Sequence, residues 1–310
     1  MTDSIKIGTR GSKLALWQAY YIQDLLKAKN IASKIITIET KGDKILDVSI
    51  AKIGSKGVFT EEIEEQLLTG TIDIAVHSAK DMQSELPKNF ELIAFTEREK
   101  VNDVLVSEKE TIDLNDSNLV IGTSSTRRIA MLKHYFPKVR TVPVRGNLQT
   151  RIKKMQAGEC DALLLAYAGM YRMGYSELIK HQFPIETFTP AVGQGSIAIE
   201  CCTSLDSHKK NIIREAINDS DTEKRLLCER AFLRTLEGGC SNPVFGLARL
   251  KDQEISFTGG IVSLDGNEMV RKKLIGPHSD SEKIGTQLAY DVLQAGGAKI
   301  LTTIKEELKE

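Results

Sequence analysis

The chain has 310 residues, room for two domains of about 150 residues or three smaller ones. It is 41% hydrophobic and 27% charged, so it can bury sizeable cores beneath a polar surface. Lysine plus arginine equals aspartate plus glutamate at 42 each, which argues against a general nucleic-acid binder or a polybasic membrane binder; any anion site must be a local cluster on a neutral surface.

The first two-thirds alternates short apolar runs with helical patterns. Strands are predicted at Ile5–Thr9, Lys34–Glu39, Ile72–Val76, Leu92–Phe95, Asp103–Val106, Leu119–Ile121, Arg140–Val144 and Asp161–Leu165. Helices are predicted at Lys13–Lys27, Thr60–Leu68, Thr126–Tyr135 and Leu148–Ala157. Such alternation gives parallel or mixed sheets covered on both faces, and ligands of open α/β sheets bind at the carboxyl-end turns. The last third differs. A helix over Asp221–Thr235, capped by Asp221 or Thr222, precedes strands at Val244–Leu250, Glu254–Val262 and Glu268–Leu274 and helices near Ser279–Gln294 and Lys299–Lys309. Strands grouped and then helices grouped indicate a small α+β domain.

The most apolar run, Ala162–Met170, falls short of the roughly 20 residues that cross a bilayer. No basic segment followed by an apolar one opens the chain, so no signal peptide is expected. The five cysteines (Cys160, Cys201, Cys202, Cys228, Cys240) are odd in number and form no CxxC, which suggests neither a disulfide framework nor a zinc site. A cytoplasmic, reduced protein without a metal is expected.

Lysines outnumber arginines 28 to 14, but between residues 127 and 151 the ratio inverts: Arg127, Arg128, Arg140, Arg145 and Arg151 stand against Lys133 and Lys138. Arginine's planar fork grips a carboxylate or phosphate in two parallel hydrogen bonds, which lysine cannot do. Arg140 opens a strand without a supporting motif and reads as a surface charge. The others sit at strand ends. Leu119-Val-Ile-Gly-Thr-Ser-Ser-Thr-Arg-Arg128 runs from a strand through hydroxyl residues into a helix start, where free N–H groups attract anions. Val144-Arg-Gly-Asn-Leu-Gln-Thr-Arg151 repeats the layout, and Thr9-Arg-Gly-Ser12 does so at the first strand, with Ser12 a candidate N-cap. Recurrence at several strand ends points to a ligand with several anionic groups, such as a polycarboxylate. No Walker A loop occurs.

Asp73-Ile-Ala-Val-His-Ser-Ala-Lys-Asp81 ends a strand and delivers Ser78, Lys80 and Asp81 to a loop. A partly buried Asp81 could stabilise a developing cation and move a proton, although an Asp81–Lys80 pair or an Asx turn is the commoner use of such a residue. His77 reads as a hydrogen-bonded structural histidine. Cys240 follows two glycines in Glu237-Gly-Gly-Cys-Ser-Asn-Pro243, where a thiolate could react, whereas the other four cysteines sit on predicted elements as small hydrophobes.

These segments resemble the porphobilinogen deaminase (hydroxymethylbilane synthase) family. The resemblance rests on Gly8-Thr-Arg-Gly-Ser12, Thr40-Lys-Gly-Asp43, Gly54-Ser-Lys-Gly-Val-Phe59, His77-Ser-Ala-Lys-Asp81, Gly122-Thr-Ser-Ser-Thr-Arg-Arg128, Arg145-Gly-Asn147, Ala191-Val-Gly-Gln-Gly195 and Glu237-Gly-Gly-Cys240, in family order over residues 8–240. It implies an α/β fold of two periplasmic-binding-protein-like lobes with mixed sheets plus a smaller C-terminal α+β domain. The implied domains are 1–97 with 196–215, 98–195, and 216–310. It implies a dipyrromethane cofactor, covalently bound as a thioether to Cys240, that primes condensation of four porphobilinogen molecules into hydroxymethylbilane with release of ammonia. Arg10, Arg127, Arg128, Arg145, Arg151 and Arg172 would hold the pyrrole carboxylates, helped by Ser12, Ser78, Lys80, Thr123, Ser125 and Asn147. Asp81 would bind pyrrole N–H groups, assist the departing amine and stabilise the azafulvene cation. Lys56 and Phe59 would belong to a loop over the cleft, Asp43 to a flanking loop, and Gln194 to a hinge. The family also implies a monomer, with porphobilinogen as partner and neither nucleic acid nor membrane. Thr126, Gln83 and Lys41 depart from the familiar pattern, which carries leucine, proline and arginine there; none removes a proposed acid, anchor or thiol.

The rival from another class is a two-lobed carboxylate-binding receptor. Such a receptor would need neither Cys240 nor an acid beside its anion site. A dinucleotide-binding enzyme is a weaker rival, since no GxGxxG follows a strand.

Overall fold

The computed structural model describes residues 4–41, 60–237 and 242–307. In chain order the elements are β1 (Ile5–Arg10), α1 (Lys13–Ala28), β2 (Ser33–Ile38), α2 (Glu61–Leu68), β3 (Ile74–Ser78), β4 (Phe90–Phe95), β5 (Asp103–Val106), β6 (Val120–Gly122), α3 (Thr126–Tyr135), β7 (Arg140–Val142), α4 (Leu148–Gln156), β8 (Ala162–Ala166), α5 (Tyr167–Arg172), β9 (Ile179–Gln182), β10 (Ile197–Cys202), α6 (Ser207–Ile217), α7 (Ser220–Thr235), β11 (Val244–Lys251), β12 (Glu254–Val262), β13 (Met269–Pro277), α8 (Ser281–Val292) and α9 (Ala298–Glu307). They group into two compact units, residues 1–99 with 195–223 and residues 100–194 with 224–310.

In the first unit the strand order is β2-β1-β3-β10-β4, with β10 antiparallel to both neighbours. In the second it is β7-β6-β8-β5-β9, with β5 antiparallel to both neighbours. The plans coincide. Three parallel strands in the order second-first-third are followed by an antiparallel strand taken from the first stretch after the chain crosses between units. The mixed α/β lobes expected from the sequence are therefore present, and their parallel strands direct their C-termini, and the turns after them, to one edge of each sheet.

Local chemistry explains the elements at that edge. Ser12 caps α1, its hydroxyl accepting from the Ala15 N–H at 3.3 Å, and Ala19, Ile22 and Leu26 recur along the buried face. Asn147 caps α4, accepting from the Thr150 N–H at 3.0 Å. Gly122 ends β6 where a Cβ would lie 2.6 Å from Val144 and 2.7 Å from Cys160, so any side chain would force the turn away from its neighbours. Gly146, at φ +110°, takes a backbone conformation that L side chains rarely adopt.

The C-terminal segment forms an antiparallel β11-β12-β13 sheet with helices on one face, a smaller α+β layer as expected. Phe232 of α7 meets Phe257 of β12 edge-on at 5.0 Å. The α7 cap differs from expectation: Asp219, rather than Asp221 or Thr222, accepts from the Thr222 N–H at 2.7 Å. The helix therefore starts a residue earlier, at Ser220. Three neighbouring hydrogen-bonding residues compete for that role, and only the path of the incoming chain selects one. β9, β10, α5 and α6 were not anticipated. β9 (Ile-Lys-His-Gln) is a short polar edge strand, and Glu200 interrupts the apolar run of β10.

Candidate active site

In the first unit, Arg10 ends β1 half-buried, Ser12 follows as the α1 cap, and Ser78 ends β3. The Ser78 hydroxyl accepts from the Gln18 amide of α1 at 2.9 Å, which ties the two strand-end turns together. A single 3-10 turn, Ala79–Asp81, then carries Lys80 and Asp81, with the Ala79 N–H donating to the Ser196 carbonyl at 3.0 Å. Asp81 is exposed, not partly buried as expected, because the short turn projects it beyond the sheet edge while Ala79 and Met82 on either side point inward. Behind it, buried His77 bonds through Nε2 to Glu200 Oε2 at 3.0 Å, the structural role expected of it. Glu200 is fully buried and its Oε1 has no partner.

In the second unit, Thr123 is buried and its Oγ1 accepts from the Ser125 N–H at 3.3 Å. Ser125 occupies the cap position of α3 without a side-chain cap bond, and the Ser124 hydroxyl instead donates to the Val144 carbonyl at 3.1 Å. Neither serine caps the helix through its side chain, and the Ser124 hydroxyl braces the turn instead.

Arg127 and Arg128 lie on the buried face of α3, and both reach Asp103, which is fully buried at the start of β5. Arg127 Nη2 donates to Asp103 Oδ2 at 2.7 Å; Arg128 Nε and Nη2 donate to Asp103 Oδ1 at 2.9 and 2.7 Å. Arg127 Nη1 also donates to the Thr189 carbonyl at 3.1 Å, and Arg128 Nη1 to the Leu164 carbonyl at 3.0 Å. Gln194 joins the cluster, donating to Asp103 Oδ1 at 3.0 Å and to the Val101 carbonyl at 2.7 Å. Burial alone would raise the Asp103 carboxyl, but the two guanidinium charges and Gln194 outweigh it and hold the group lowered to about 2. One donor is left over: the buried Arg127 Nε has no partner.

The remaining expected residues follow at the same sheet edge. Arg145 is half-buried before Gly146, Asn147 caps α4, and Arg151 Nε donates to the Gly146 carbonyl at 2.7 Å, bracing the turn from within the helix. Arg172 ends α5, half-buried. Asp43, Lys56, Phe59 and Cys240 lie outside the described residues. The four described cysteines are buried, as expected. Burial raises the thiols of Cys160 and Cys228, and burial together with the Glu91 charge pushes Cys201 up to about 12, so these three are poor nucleophiles.

Sequence reasoning missed Asp103 and Glu200 as polar anchors. A signal existed: each is the one carboxylate of an otherwise apolar strand, Asp-Val-Leu-Val and Ile-Ala-Ile-Glu-Cys-Cys. A charge in such a setting requires a buried partner.

The arrangement is thus an acid exposed beside hydroxyls at one sheet edge and a group of arginines at the other. A family model described as porphobilinogen deaminase, dipyromethane cofactor binding domain, matches residues 5–210, and the porphobilinogen deaminase C-terminal domain matches residues 223–294. The porphobilinogen deaminase of Cytophaga hutchinsonii is 55% identical over 311 residues, covering 100% of both chains. That of Desulfosudis oleivorans is 53% identical over 305 residues, 98% of each. A solved substrate-binding domain of a putative amino acid ABC transporter from Streptococcus pneumoniae overlaps 69% of this chain and 91% of its own, at 13% identity and a TM-score of 0.43. With family matches reaching across both units and close relatives aligned end to end, the chain belongs to the porphobilinogen deaminase family, and its activity is that of a tetrapyrrole-building transferase with a dipyrromethane cofactor.

Proposed function

We propose that this chain condenses four porphobilinogen molecules head to tail into linear hydroxymethylbilane, with loss of ammonia, and so acts as a hydroxymethylbilane synthase. The observation that carries the reading is end-to-end similarity to porphobilinogen deaminases, in a chain that has Asp81 and arginines at its strand ends. When bound, the dipyrromethane supplies the primer to which the first unit is joined.

Cys240 is the attachment point in this reading. Burial of the other four thiols supports it, since a thioether needs an accessible sulfur. Arg10, Arg127, Arg128, Arg145, Arg151 and Arg172 hold the acetate and propionate groups, with Ser12, Ser78, Lys80, Thr123, Ser125 and Asn147 adding neutral or cationic donors. The unpartnered Arg127 Nε fits such a ligand, because a carboxylate would satisfy a donor that the protein leaves unused. Asp81 acts at the departing amine. Its carboxylate stabilises positive charge developing at the substrate carbon that loses ammonia, then takes the proton shed when the new bond restores the ring. Asp43, Lys56, Phe59 and Gln194 complete the surroundings of the reaction. The chain works as a cytoplasmic monomer of three domains, 1–97 with 196–215, 98–195 and 216–310, without nucleic acid or membrane. Among the described residues no helix is long and apolar enough to cross a membrane, which is consistent with that setting.

Intact mass spectrometry with an Ehrlich-type colour test for pyrroles decides the tether. Protein from precursor-replete cells should carry added mass and colour, and Cys240→Ser should lack both. A wild-type mass equal to the bare polypeptide, in protein that still consumes porphobilinogen, would overturn it.

A further inference from the structure

One feature at the edge of the second sheet is used by none of the chemistry above. Tyr167 and Tyr171, one helical turn apart on α5, stack nearly parallel, with ring centroids 6.0 Å apart and planes 13° apart. Tyr167 is half-buried against the apolar cluster beneath it, while Tyr171 is 54% exposed. The Lys100 ammonium lies over the Tyr167 ring, 5.0 Å from its centroid.

The register of the sheet fixes where this stack begins. Ala166, the last residue of β8, pairs across the sheet with Asp103, the acid that collects Arg127 and Arg128. Tyr167 is the next residue, and its N–H donates to the Asn102 carbonyl at 3.0 Å. The stack therefore rises from the strand end that adjoins the buried arginine cluster, and Arg172 closes the same helix. A single exposed tyrosine needs no explanation, but a parallel tyrosine stack beside a lysine, at the sheet edge where the proposed function puts its ligand, does.

We propose that the Tyr167–Tyr171 stack, with Lys100, is a platform on which one pyrrole ring of the bound chain rests. The proposal deepens the reading above and rests on it. A pyrrole is flat and electron-rich and bears two carboxylates. It matches an aromatic face, which offers offset stacking, next to an ammonium, which offers a counter-charge. Tyr167, half-buried against the apolar cluster, holds Tyr171 in the stack in advance, so less side-chain entropy is lost when a ring settles on it.

The holoenzyme of each variant tests this. Tyr171→Ser should lower kcat/KM for porphobilinogen roughly 2- to 10-fold, the range expected for one lost aromatic contact, and should make one enzyme-bound oligomer accumulate in the mass spectrum. Tyr171→Phe, which keeps the ring, should restore both. Tyr171→Trp adds a reporter beyond activity: its fluorescence should change on adding porphobilinogen by more than the wild-type signal from Trp17. An unaltered oligomer distribution in Tyr171→Ser together with silent Tyr171→Trp fluorescence, while wild-type protein elongates normally, would overturn the platform alone. Failure of wild-type protein to lengthen any pyrrole chain would instead overturn the function on which it rests.

Discussion

The two lobes share one strand plan yet present opposite chemistry at their strand ends, and their aspartates show why. Asp81 projects from a one-turn helix into water. Asp103 is sealed at the start of β5 between two guanidinium groups. An exposed carboxylate ionises at no desolvation cost and remains available to a substrate. A buried one persists as an ion only because opposite charge compensates it, and it is then committed to the protein. The same residue type is thus open to solvent in one lobe and a structural counter-ion in the other. Asp103 also orients Arg127 and Arg128, leaving Arg127 Nε as the unused donor.

The largest effect is expected at the exposed acid. Asp81→Asn should fold normally by circular dichroism and lose turnover about 10²- to 10⁴-fold, the usual scale for a group that moves a proton. Turnover near wild type would make Asp81 an ordinary loop residue and erase the contrast.

Asp103→Asn should do the reverse in kind. It leaves two buried guanidinium groups without their counter-charge, so urea unfolding should show a loss of about 3–5 kcal/mol. An unchanged midpoint would mean that the arginines are compensated elsewhere.

The smallest effect sharpens the comparison through pH. The folded Asp103 carboxyl is lowered to about 2, against about 3.9 in an unfolded chain. Its contribution is therefore fully present above about pH 4 and is lost as pH falls through about 2, an order of 2 kcal/mol in all. Urea unfolding between pH 5 and pH 2 should show this decline in wild-type protein and in Asp81→Asn, and a shallower one in Asp103→Asn. Equal slopes in all three would remove Asp103 from the acid response.

Much of the fold was legible because its signals are local. The predicted helix over Thr126–Tyr135 and strand over Asp103–Val106 match the structure residue for residue, and Ser12 caps α1 as its position before an amphipathic run suggested. β9 and β10 were illegible for a physical reason. A polar edge strand carries no apolar alternation, and a strand buried on both faces can hold a glutamate only where His77, 123 residues away in sequence, receives it. The α7 cap was misplaced because Asp219, Asp221 and Thr222 are chemically equivalent until the backbone path is known.

The candidate site divides along the same line. Residue type and spacing alone determined that arginines, hydroxyl-rich turns and one acid gather at strand ends, because those turns must begin where the strands end. Tertiary structure decided which charges meet water and which meet each other. It sank Arg127 and Arg128 onto Asp103, lifted Asp81 into solvent and stacked Tyr171 on Tyr167. Burial and long-range pairing depend on where distant segments come to lie, and no local pattern encodes that.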